Sequence, residues 1–119
     1  MGEFTIAVLP GDGIGPEVVS QGVRVIEGVG ARFNHRFHLK QGLLGGAAIE
    51  QRGRTLPPET IDLCRSADAV LVGAVGDPRW DHLPPPQKAE AGLTSLRREL
   101  GIFVNLRPIK VFPHLEDCT

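Results

Sequence analysis

An α/β fold, a parallel-containing sheet with flanking helices, is the class this sequence predicts. Three observations carry it. Residues 4–9 (FTIAVL) and 67–75 (ADAVLVGAV) are nearly continuous apolar runs, the pattern of strands buried on both faces. The segments between them carry helical spacing and helix-start prolines. Glycine and proline punctuate the whole chain and do not gather in one linker, so 119 residues read as one small domain with a real core. Strand, helix and parallel strand in that order imply a sheet covered by helices.

Each element can be justified in turn. The first strand is bounded by Pro10 and followed by residues 11–17 (GDGIGPE). Pro16 suits the first position of a helix and Glu17 its positive end. Val18, Val19, Val23 and Ile26 then recur at helical spacing, with an end expected near residues 28–30. A glycine loop opening a helix can bind phosphate, and glycines also serve a tight turn alone. This one is neither GxGxxG nor a P-loop.

Residues 32–40 alternate, with Phe33, His35, Phe37 and Leu39 facing one way, as in a half-buried strand suited to a sheet edge. His35 and His38 then fall on opposite faces and read as packing or surface residues, not as a metal pair. A short helix is expected over residues 45–52. A second begins at Pro57, Pro58 and Glu59 and runs to about Arg65, with Ile61 and Cys64 inward. The loop after residue 75 leaves the carboxyl end of a buried strand, where open α/β sheets bind ligands. It holds the single tryptophan, and a rigid loop anchored by Trp80 fits the same residues.

Residues 92–108 (GLTSLRRELGIFVNLRP) read as helix, turn and strand. At about 100° per residue, Leu93, Leu96 and Leu100 form one apolar stripe. Arg97 flanks it near Leu93, while Arg98 and Glu99 point away. Gly101 ends the helix. Residues 102–106 are expected as the next strand, with Arg107 at its carboxyl end. A guanidinium offers a planar fork matched to a carboxylate. Arg97 and Arg107 are therefore candidate carboxylate ligands; two surface arginines, one pairing with Glu99 or Glu90, fit the spacing as well.

Composition excludes several classes. Net charge is −1 with no block of like charge, and there is no Tyr, so nothing favours nucleic acid or an anionic membrane. No run is long enough for a membrane span, residues 5–10 are too short for a signal h-region, and a cytoplasmic location is expected. Cys64 and Cys118 form no CxxC and are expected as reduced thiols.

Four motifs occur in order: LPGDGIGPEV, GGAAI, ADAVLVGAVG-x-P-x-WD and LRREL-x-x-F-x-NLRP. Together they resemble the amino-terminal part of the isopropylmalate dehydrogenases, within the family of decarboxylating β-hydroxyacid dehydrogenases that includes the isocitrate enzymes. The resemblance runs from Phe4 to about Leu115. It implies a nucleotide-binding fold outside the Rossmann type. It further implies that residues 1–119 are the amino-terminal part of a first domain completed by later sequence. The implied activity is NAD-dependent oxidative decarboxylation of 3-isopropylmalate, a step of leucine biosynthesis, in a homodimer when full length; a related isocitrate or tartrate dehydrogenase and a non-catalytic fragment or dicarboxylate-binding module are the alternatives.

By the same resemblance, Arg97 and Arg107 grip the malate carboxylates and Leu93 contacts the isopropyl group. Ile14 lies near the adenine. The segment of Asp77, Pro78, Arg79, Trp80, Asp81, His82, Leu83, Pro84, Pro85, Pro86, Gln87, Lys88, Ala89 and Glu90 lies against NAD, with Glu90 near the nicotinamide ribose. Asp77 stands where the family usually has glycine, which implies a changed loop path. Thr94 stands where leucine is frequent, which implies a trimmed alkyl pocket. The Mg²⁺ or Mn²⁺ ligands, the catalytic Lys and Tyr and a third arginine match positions beyond residue 119. The 119 residues alone are accordingly expected to be inactive and to expose apolar surface.

Overall fold

In the computed structural model, residues 1–118 are described, with side chains described as far as Leu115. The expectation for the Cys118 thiol lies outside the described side chains. Strand β1 (Glu3–Gly11) is the middle of a three-stranded parallel sheet of order β2-β1-β3, with β2 (Arg36–Gln41) and β3 (Ala69–Ala74) on either side. Ile6 lies opposite Leu39 on one side and Ala69 on the other, and Gly11 opposite Ala74. The central position explains the continuous apolar run: Ile6, Ala7, Val8 and Leu9 are all buried.

Their alternation divides the core in two. Ile6 and Val8 pack with Val19, Val23 and Ile26 of helix α1 (Gly15–Phe33) and with Phe37 and Leu39 of β2. Ala7 and Leu9 face the other way. They pack with Leu44, with Cys64 of α3 (Pro58–Ser66) and with Leu96 of α4 (Ala89–Glu99), while α2 (Gly46–Arg52) bridges at the rim. Burial raises the Cys64 thiol above its ordinary value, so it stays a neutral core group. Thr60, buried one helical turn earlier in α3, donates its hydroxyl to the Leu43 carbonyl at 2.7 Å.

Three boundaries differ from expectation. Helix α1 does not stop at residues 28–30 but continues to Phe33. Asn34 ends it by taking the left-handed conformation, φ 58°, with its N–H returned to Gly30. Arg32 and Phe33 are therefore helical, and the strand begins at Arg36. Phe33 is 62% exposed under the Arg32 guanidinium, so it is not on the strand's inner face. The third difference is residues 102–106. They pair with no strand among the described residues and are irregular, as is the run up to Val111. Phe103 is 94% and Ile109 90% exposed. A strand exists only where a neighbour completes its ladder, and apolar character alone does not provide one.

The two histidines are accounted for by local bonds. His35 Nδ1 accepts from the Gly2 N–H at 3.0 Å, and His38 lies 2.6 Å from Glu3.

Candidate functional site

All loops that follow the parallel strands emerge at one rim. The glycine loop after β1, the turn before α2 and the long connection after β3 meet there. Their common centre is Asp12. Its side chain accepts N–H bonds from Gly46 at 2.8 Å, Ala47 at 2.7 Å and Gly76 at 3.0 Å. Its own N–H donates to the Ala74 carbonyl at 2.7 Å. Sequence reasoning quoted the motif without singling out this residue. A buried-type acid between two glycines was the available signal, but its donors come from 34, 35 and 64 residues away.

The connection after β3 is two 3-10 turns, Pro78–Trp80 and Pro85–Gln87, leading into α4. Trp80 is half-buried, and a Cβ placed on Gly46 would lie 2.7 Å from its ring. The indole is thus packed down as an anchor, its Nε1 buried without a partner among the described residues. Asp77 has φ −149° and ψ 123°, extended backbone open to any residue, so an aspartate is accommodated without strain. It caps the first turn, accepting from the Arg79 N–H at 2.9 Å and from the Arg79 guanidinium at 2.7 and 2.9 Å. Those side-chain bonds, with the backbone bond second, hold the Asp77 carboxyl below the usual carboxylate range. Arg79 also reaches Glu50 of α2 at 3.7 Å. Glu90 lies over Gly76, where a Cβ would sit 2.8 Å from its Oε1.

Helix α4 presents the leucine stripe as expected. Leu96 is buried, with Leu93 and Leu100 packed against the same core cluster. Its last turn closes with Gly101 and Ile102 donating to the carbonyls of Arg98 and Arg97. Leu93, Arg97, Val70, Val72 and Ile102 line one cavity of about 300 Å³ beside β3. Arg97 also borders a second of about 390 Å³ formed by residues 102–106. The structure therefore brings Leu93 and Arg97 together. Arg107 is exposed, one residue beyond the lining of that second cavity, and the described chain does not bring it into the first. Glu99 pairs with Arg65 at 2.8 Å, not with either α4 arginine.

Thr94 is exposed and lines a different depression of about 650 Å³, with Asp81, Lys88, Glu90, Ser95 and Arg98. It is not among the residues that line the Leu93 cavity. Arg98, expected in solvent, is exposed and borders that depression. Ile14 sits at the start of α1 with 62% of its surface free.

A parallel sheet with helices on both faces carries a buried acid and an anchored loop at its carboxyl rim, and an apolar cavity with one guanidinium beside β3; that is an α/β unit of the open-sheet class. The chain belongs to the isocitrate/isopropylmalate dehydrogenase family, whose model matches residues 5–119. It is 53% identical to a 3-isopropylmalate dehydrogenase of Oleidesulfovibrio alaskensis over 98% of this chain and 32% of that protein. It is 52% identical to one of Bacillus subtilis over 96% of this chain and 31% of that protein. A crystal structure of a beta-decarboxylating dehydrogenase from Thermococcus kodakarensis superposes with a TM-score of 0.61 at 37% identity, covering 82% of this chain and 27% of that one. The chain thus spans about a third of the length of the curated relatives it matches.

Proposed function

We propose that residues 1–119 are the amino-terminal part of an NAD-dependent dehydrogenase that oxidises and decarboxylates 3-isopropylmalate, and that this part holds the substrate and one wall of the cofactor site. The single observation that carries the reading is the shared cavity of Leu93 and Arg97 on one face of α4. An alkyl-malate needs an apolar surface and a carboxylate ligand about one helical turn apart, and these two residues have that separation. Arg107 would take the second carboxylate once residues 102–106 gain a strand neighbour and fix its direction. The substrate is a small dicarboxylate, the intact protein a homodimer in the cytoplasm, and the reaction a step of leucine biosynthesis.

The residues present fit NAD. Ile14 offers a free apolar side chain that a flat ring can cover, and residues 77–90 arrive at the same rim already ordered by Asp77, Trp80 and Glu90. Held there, NAD would supply a hydride acceptor for the hydroxyl-bearing carbon. What this chain contributes is orientation: Arg97 fixes the carboxylate, and Leu93 keeps water from the alkyl side. Among the described residues, no three His, Cys, Asp or Glu side chains converge as a metal site does. No step of the proposal runs through Mg²⁺ or Mn²⁺.

Leu93→Asn tests the substrate. Replacing the alkyl contact by an amide is expected to shift the preference between isopropylmalate and isocitrate by about 10- to 200-fold toward isocitrate, read as the ratio of kcat/KM values in the intact protein. An unchanged ratio would remove Leu93 from the specificity site.

A further inference from the structure

We propose that Asp12 is a positioning residue for the cofactor loop, setting where residues 77–90 stand against the sheet. The inference rests on the reading that those residues face NAD. Asp12 is 5% exposed, and its two oxygens take the N–H groups of Gly46, Ala47 and Gly76. Gly76 is the residue immediately before the loop. Gly46 is the floor on which Trp80, the loop's anchor, is packed. One side chain therefore fixes both the point where the loop leaves the sheet and the surface it lies on. Among the described residues, the other polar fastening is Arg79 to Glu50 at 3.7 Å, with both side chains more than half exposed. Exposed pairs of that length hold geometry weakly, whereas a buried acid meeting three backbone donors holds it firmly.

Asp12→Asn in the intact protein keeps the shape but replaces one acceptor oxygen by an NH₂ group facing a backbone donor. The KM for NAD is expected to rise about tenfold, with kcat and the KM for isopropylmalate within about twofold of wild type. Ala47→Pro deletes one donor at a first-turn position that tolerates proline, and is expected to move the same parameter less. An unchanged KM for NAD in both variants would overturn the proposal. So would a uniform decline of all parameters in step with a lower melting temperature. Amide exchange keeps this test separate from the functional reading. If the wild-type protein shows no NAD turnover, that reading fails by itself. The positioning role then stands if Gly46, Ala47 and Gly76 are protected in wild type and Asp12→Asn speeds exchange at residues 46–47 and 76–90 but not within α3. Unprotected amides in wild type, or equal acceleration everywhere, overturn it.

Discussion

Arg97→Ala in the intact protein is expected to lower kcat/KM for isopropylmalate by about 10²-fold, while the KM for NAD stays within about twofold. A guanidinium fork makes two charge-assisted bonds to a carboxylate, each contributing about 1.5–3 kcal/mol when water is excluded. Arg97 is exposed in this chain, so the lower end of that range applies, and about 3 kcal/mol corresponds to roughly 10²-fold. Arg97→Lys keeps the charge and loses the fork, and recovers only part of the activity. Arg98→Ala is the control. It lies one residue away on the same helix, outside the Leu93 cavity, and borders the depression with Thr94 and Glu90. Its removal changes kcat/KM for isopropylmalate less than about threefold. Equal losses in the two variants would show that helical phase does not select the carboxylate ligand.

Gly11→Ala is expected to destabilise the intact protein by about 3 kcal/mol, measured as a lower urea midpoint at unchanged slope. Gly11 has φ +75°, and a Cβ there would lie 2.0 Å from the Ala74 carbonyl oxygen. That oxygen is also the acceptor for Asp12 N–H. The left-handed conformation costs an alanine about 1–2 kcal/mol, and forcing the strands apart about 1–3 kcal/mol more. Gly28→Ala should move the midpoint the other way. Gly28 is inside α1 with open space where its Cβ would be, so alanine adds helix propensity of about 0.5–1 kcal/mol. The same sign of shift in both variants would contradict the crowded rim that the structure places at Gly11.

The strands β1 and β3 were legible because both are nearly continuous apolar runs: Thr5 is the one polar residue of FTIAVL, and Ile6, Ala7, Val8 and Leu9 are all buried. Helix α4 was legible for a similar reason, since Leu93, Leu96 and Leu100 share one phase and separate Arg97 from Arg98. Where the reading failed, the missing information was not local. The end of α1 was set by Asn34, whose tolerance of a left-handed backbone outranked the glycines before it. Residues 102–106 carry a strand's composition, but a strand is a relation between two segments, and the described chain supplies only one. Asp12 is the clearest case. Its chemistry depends on Gly46, Ala47 and Gly76, and no periodicity in the sequence connects them. Asp77 taught the opposite lesson: a departure in sequence proved compatible with ordinary extended backbone, and its side chain found Arg79 two residues on.

The most direct measurement is a progress curve of the intact protein with isopropylmalate and NAD, following NADH and released carbon dioxide together, with isocitrate as the competing substrate. The account predicts equal yields of NADH and carbon dioxide from isopropylmalate, at a kcat/KM at least about tenfold above that for isocitrate. Isocitrate preferred over isopropylmalate, or NADH formed without carbon dioxide, would contradict it.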